Sequence, residues 1–180
     1  MPTDRNYISF ADVDAHQVIE GRTFPDPGVN SLEYSDTVKL SHASNVTIRN
    51  AVISGGKEDC VDMNRNCSDI LIEDCTIIPK GQYGFTIKGG TKNVVLRNLR
   101  FAAHGSVTDI DLGNWSDQSI ERTTNITIEN CTTFDGKPVR VRVLWADAPT
   151  VIGPAPVKVT VIPTILVKIY RFLRARRLVP

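Results

Sequence analysis

Four segments of this sequence are variations on one nine-residue theme. NVTIRNAVI begins at Asn45, DILIEDCTI at Asp69, NVVLRNLRF at Asn93 and NITIENCTT at Asn125, with starts 24, 24 and 32 residues apart. Each opens with Asn or Asp, carries apolar residues at its second and fourth places, and has Asn or Asp at its sixth (Asn50, Asp74, Asn98, Asn130). A shorter element precedes each: TVKL ends at Leu40, CVDM at Met63, GFTI at Ile87 and DIDL at Leu112, with PVRV, ending at Val141, as a fifth. All alternate apolar with polar or small residues, the period of a half-buried strand. The intervening SGGKED, NRNCSD, PKGQ, KGGTKN and GNWSDQS are turn formers, and helical periodicity is absent from this region.

One coil of this length cannot bury its own apolar face, whereas a stack of coils buries a continuous core. The spacing therefore predicts a solenoid in which like strands stack as parallel sheets. Val38, Val61, Phe85, Ile110 and Val139 are expected to form one interior column, and Leu40, Met63, Ile87, Leu112 and Val141 a second. Val46, Ile70, Val94 and Ile126 make a third; Ile48, Ile72, Leu96 and Ile128 make a fourth. Five coils at the strand spacing of about 4.8 Å give a column about 20–25 Å tall. The sixth-place Asn50, Asp74, Asn98 and Asn130 are expected to stack at a turn and hydrogen-bond along the axis. Five Asn-x-Ser/Thr triplets (Asn45, Asn66, Asn114, Asn125, Asn130) follow as by-products of this pattern.

The 180 residues suffice for one domain with a real core. Net charge is +1, but the last 17 residues hold Lys168, Arg171, Arg174, Arg176 and Arg177 and no acid, leaving about −4 for the remainder. The N-terminal residues carry no secretory-signal pattern, and no apolar run is long enough to span a bilayer, so synthesis in the cytoplasm is expected. The four cysteines are then read as reduced: Cys75 and Cys131 fall two coils apart in a packing phase, and Cys60 and Cys67 could meet across a turn.

The expected organisation is an N-terminal cap over residues 1–33, coils over 34–150, and a Pro-rich linker with a basic amphipathic helix over 151–180. Asp12 or Asp14 is placed to cap a short helix ended by Gly21. Beyond Pro163, Ile165, Leu166, Ile169, Phe172 and Leu173 follow helical spacing and form a partner-docking stripe. Docking onto the last coil, another subunit or an assembly partner fits this stripe better than nucleic acid or a membrane surface.

These phased coils resemble the right-handed parallel β-helix superfamily of pectate lyases and polygalacturonases over about residues 34–145. The resemblance implies an all-β, right-handed parallel β-helix. EDCVDM is similar to the Asp-Asp-Cys element of polygalacturonases, with Glu58 and Asp59 at the acidic positions and Asp62 beyond them. Where that family has Gly-His-Gly, this chain has Gln82, Tyr83 and Gly84, and its Arg-x-Lys pair has no match near Lys88, Arg140 or Arg142. His16, His42 and His104 share no phase from which to build a nucleophilic triad.

Glu58, Asp59 and Asp62 are therefore the catalytic candidates, and Trp115 and Tyr83 the glycan-binding ones. No cofactor is expected; Asp62 and Asp111, which share an outward phase two coils apart, about 9–10 Å, are the candidate ligands should a metal bind, with Ca2+ as the ion. The outward column Lys39, Asp62, Thr86, Asp111, Arg140 alternates charge and is otherwise expected to be a solvated ladder. The degenerate catalytic set favours a noncatalytic structural or assembly module, of the virion-decoration or tail-associated kind found among similar folds. A carbohydrate-active enzyme on acidic polysaccharide and a glycan-binding module are the alternatives. Resemblance to viral β-helices implies a homo-oligomer, with a trimer favoured.

Overall fold

The computed structural model describes residues 8–11, 14–24, 36–103, 108–113, 121–144, 146–153 and 157–162. Within them all regular structure is β-strand. β1 (Ile8–Ala11), β2 (Asp14–Glu20) and β3 (Thr23–Phe24) make the first coil. β4 (Val38–Ser41), β5 (Ser44–Arg49) and β6 (Val52–Gly55) make the second, and β7 (Asp59–Asn64), β8 (Ser68–Glu73) and β9 (Thr76–Pro79) the third. β10 (Tyr83–Ile87), β11 (Lys92–Arg97) and β12 (Arg100–Phe101) follow, then β13 (Ile110–Leu112), β14 (Thr124–Glu129) and β15 (Thr132–Thr133). β16 (Val139–Val143), β17 (Thr150–Ile152) and β18 (Val157–Val161) continue the winding.

Three parallel sheets result. The first runs β1-β4-β7-β10-β13-β16-β18, the second β2-β5-β8-β11-β14-β17, and the third β3-β6-β9-β12-β15. Their inward positions form the core. Val38, Val61, Phe85 and Ile110 stack in register, as do Leu40, Met63, Ile87 and Leu112, and all are buried. The second sheet contributes Val46, Ile70, Val94 and Ile126 with Ile48, Ile72, Leu96 and Ile128, as the repeat predicts. Phe24, Ile53, Ile77 and Phe101 complete the wall from the third sheet. Phe85 meets Phe101 edge-on across the interior, with centroids 5.9 Å apart. Each such side chain contributes about 1.5–3 kcal/mol through burial.

The turns explain the recurrent Asn and Asp. Asn50, Asp74, Asn98 and Asn130 all have φ between 50° and 53°, and Asn45, Asp69, Asn93 and Asn125 between 51° and 57°. Asn and Asp tolerate this left-handed region better than other residues bearing a β-carbon. Both sets are linked along the axis. Asn98 Nδ2 donates to Asp74 Oδ1 at 2.9 Å; Asn93 Nδ2 donates to Asp69 Oδ1 at 2.9 Å, and Asn125 Nδ2 to Asn93 Oδ1 at 2.8 Å. There are thus two ladders where the sequence suggested one. Beside them, Glu20, Arg49, Glu73, Arg97 and Glu129 alternate in sign on successive rungs, with Arg97 reaching Glu73 at 3.4 Å and Glu129 at 2.7 Å.

Three expectations are corrected. The short helix ending at Gly21 is instead strand β2, paired with β5 through Val18↔Thr47 and Ile19↔Ile48. Gly21 (φ 64°) is not a helix cap: its N–H donates to the Arg49 carbonyl, so it occupies the turn phase held by Asn50 on the next rung. Second, β17 and β18 carry the winding beyond residue 150, so the first sheet has seven rungs rather than five. Third, the register at β16 is two residues further on: Ile110 pairs with Val141, Asp111 with Arg142 and Leu112 with Val143. The C-terminal helix expected around Ile165, Leu166, Ile169, Phe172 and Leu173 lies outside the described residues.

All four cysteines are buried, and none is in a disulfide. Their thiols donate to backbone carbonyls, as Cys75 does to Glu73 at 3.0 Å and Cys67 to Asn64 at 3.1 Å. Burial pushes the Cys75 and Cys131 thiols up to about 11, which keeps them protonated and unreactive.

Candidate functional site

The outward positions of the first sheet carry a polar network that is buried rather than solvated. Lys39, Asp62, Thr86, Asp111 and Arg142 follow one another in register. Asp62 is 1% exposed and Asp111 0%. Carboxylates can be this enclosed only when cations and donors replace their water. Lys39 Nζ donates to Asp62 Oδ2 and, at 3.0 Å, to Asp36 Oδ2. Lys88 Nζ lies 3.2 Å from the other Asp62 oxygen, and Asn64 Nδ2 donates to Asp62 Oδ2 at 2.9 Å. Burial alone would lower the Lys39 and Lys88 pKa values. The nearby carboxylates, Asp62 foremost, outweigh it and hold both ammonium groups above the ordinary lysine value.

Two rungs along, Arg142 grips Asp111 through Nε and Nη2, both at 2.8 Å. The same Nη2 donates to Tyr83 Oη at 2.8 Å, and the guanidinium carbon sits 5.1 Å from the Tyr83 ring centroid. Asp109 receives Arg140 in the same bidentate manner, at 3.0 and 2.9 Å, and accepts the Arg140 backbone N–H at 2.7 Å.

Asp59 differs from these carboxylates. It is 1% exposed, and neither carboxyl oxygen has a hydrogen-bond partner. Burial first, then the charges of Asp36 and Asp62, push its carboxyl well above the usual range. Asp36 is raised to about 6 by burial and by Asp62, against the opposing pull of Lys39. Burying carboxyls together in a low-dielectric patch disfavours their ionisation, and Asp59, with no ion pair among the described residues and only the opposing pull of the Thr86 hydroxyl, is biased toward its protonated form. The turn that presents Asp59 is tight: at Gly56 (φ 73°) a β-carbon would lie 1.9 Å from the Asp59 carbonyl oxygen.

The structure thus brings Asp59 and Asp62 together and adds Asp36, which the repeat pattern did not single out. Its signal was positional: Asp36 stands two residues before Val38 as Asp59 stands two before Val61, the register partner of Val38, and the Thr37 N–H donates to the Asp59 carbonyl at 3.2 Å. Glu58 is half-buried at the entry to β7, where its carbonyl accepts the Gln82 and Tyr83 N–H groups at 2.6 and 3.2 Å. Tyr83 pairs in register with Asp59 and turns its hydroxyl to Arg142. Asp62 and Asp111 remain two rungs apart with Thr86 between them, each engaged by protein cations rather than by the other. Among the described residues no group of three or more His, Cys, Asp or Glu is arranged to hold a metal ion. Trp115 lies outside the described residues.

Seven parallel rungs, phased left-handed turns and a polar outer wall on one sheet define a β-helix, and residues 7–133 match the family described as the right-handed β-helix region. The chain belongs to the right-handed β-helix family. This β-helix is also similar to the capsule K1-specific depolymerase of Klebsiella phage K64-1, with 29% identity over 174 residues. That match covers 78% of this chain but 19% of the phage protein, so the β-helix spans about a fifth of that relative's length. No solved structure was found to match.

Proposed function

We propose that this β-helix is a carbohydrate-directed module of a phage tail-associated, virion-borne protein, and that the outer face of its first sheet acts on an acidic polysaccharide. The observation that carries the reading is the Asp59 carboxyl, buried, unpartnered and biased toward its protonated form beside Asp62. Glycoside hydrolysis uses one carboxyl as proton donor to the leaving oxygen and a second as base or nucleophile. In that scheme Asp59 is the donor, and Asp62, ion-paired to Lys39 and Lys88, is the carboxylate. The similarity to a phage capsule depolymerase supports the substrate class.

The test is release of reducing ends from polygalacturonate and from bacterial capsular polysaccharides. Turnover by the chain that falls at least about a hundredfold in Asp59→Asn supports the assignment, the usual scale for loss of a general acid. Turnover unchanged in that variant would sink it.

A second reading, a noncatalytic structural module of a phage tail, is favoured by the pairing of the remaining carboxylates. Asp62, Asp109 and Asp111 are each held by a lysine or arginine, as a structural wall requires. It predicts a folded protein without turnover on any polysaccharide. Its self-association into a trimer is checked by light scattering.

A further inference from the structure

Arg140 and Asp109 also form the floor of a cleft that the catalytic pair does not use. It lies where the first sheet meets the end of the third, has a volume of about 340 Å3, and is lined by Asp109, Thr133, Asp135, Lys137, Arg140 and Lys158. Its charges do not balance. Asp109, 1% exposed, spends both oxygens on Arg140. Asp135 holds Lys137 at 2.7 Å across the turn, and that hydrogen bond keeps the Asp135 carboxyl down at about 2. Lys158 is left over. It is the register partner of Arg140 on the next rung, is exposed, and has no ion-pair partner among the described residues.

Two cations on adjacent parallel strands repel, and the carboxylate that could relieve them is already committed to one. An anion entering the cleft would meet an ammonium and a guanidinium whose orientation is preset by Asp109, with the Lys137 ammonium at the rim. Preset donors of this kind lose little freedom on binding.

We propose that this cleft is a subsite for an anionic substituent of a polysaccharide, a sugar carboxylate above all, held between Lys158 and Arg140. The inference deepens the carbohydrate-directed reading and rests on it. The subsite lies on the same sheet as Asp59, three rungs further along at Arg140 and four at Lys158, so a bound chain would run along the helix axis.

The probe is trigalacturonate, with its neutral methyl ester as control, titrated calorimetrically into the full chain and into Lys158→Glu and Lys158→Ala. Trigalacturonate should bind the full chain more tightly than the ester does. Lys158→Glu should weaken the acid at least about tenfold, the scale of one lost charge-assisted contact, and Lys158→Ala less. The ester's affinity and the unfolding midpoint should not move. The subsite is overturned if acid and ester bind alike, if Lys158→Glu binds the acid as the parent does, or if trigalacturonate does not bind. Polysaccharide turnover, measured separately, tells the two ideas apart. Turnover without charge preference removes the subsite alone, whereas absence of both binding and turnover on every glycan removes the broader reading with it.

Discussion

Arg142 clasps Asp111 on the neighbouring rung with two hydrogen bonds of 2.8 Å, and the carboxylate so held is 0% exposed. Removing one partner leaves the other charge buried without compensation, which costs far more than the pair itself contributes. Arg142→Ala should therefore destabilise the fold by about 3 kcal/mol. Arg142→Met combined with Asp111→Leu should recover most of that loss. Urea denaturation of the two variants beside the parent checks it, and a single mutant as stable as the parent would contradict the pairing.

Stability should fall as pH rises from about 4 to 7. Asp36, raised to about 6, and Asp59, raised well above 3.8, bind protons more tightly folded than unfolded. Their favourable contribution is complete below the unfolded value near 3.8 and is lost as pH climbs through the folded one. For Asp36 the loss is on the order of 2–3 kcal/mol. Melting temperatures across this window should drop in the parent and flatten in Asp36→Asn and Asp59→Asn. A profile that rises in the parent would refute the shared burial of these acids.

Asn98 holds φ at 53° and donates to Asp74 at 2.9 Å. Asn98→Ala forfeits the hydrogen bond and leaves a residue poorly suited to the left-handed region, at a cost of about 2 kcal/mol. Asn98→Gly loses the bond but relaxes the backbone, so it should cost less. Gly21 and Gly153 occupy the same turn phase at the two ends of this column, which shows that glycine is accepted there. Chemical denaturation ranking alanine at or above glycine would count against this account.

If Asp59 is the proton donor, kcat/KM on polysaccharide should fall on the alkaline side as that carboxyl ionises, well above the pH at which an ordinary aspartate would titrate. Residual activity of Asp59→Asn should lose this limb. A pH–rate profile with the same alkaline limb in both proteins would assign it to another group.

Much of the fold was legible because its signals are local. The left-handed turns at Asn45, Asp69, Asn93 and Asn125 need residues that tolerate positive φ, and the strands between them alternate with period two, so both leave a mark in every coil. The first coil hid because Asp12 to Gly21 carries glycine, not asparagine, at the phased turn, and its acids look like a helix cap. In the candidate site, Asp59 and Asp62 were found through a motif. Asp36 was not, because the carboxyls it meets, Asp59 and Asp62, are brought beside it by stacking on the next rung.

Residue pattern alone dictates that the chain winds into parallel coils, which faces are apolar, and where each coil must turn. These follow from side-chain period and backbone sterics, which act over a few residues at a time. The pairing of Asp111 with Arg142 in place of Arg140 emerges from the stacking of whole coils. The stretch VRVRV matches itself after a shift of two, so either register keeps valines inward and arginines outward, and the geometry of stacking has to choose. It also decided that the charged column is enclosed, because a carboxylate's access to water depends on which cations the neighbouring rungs lay across it.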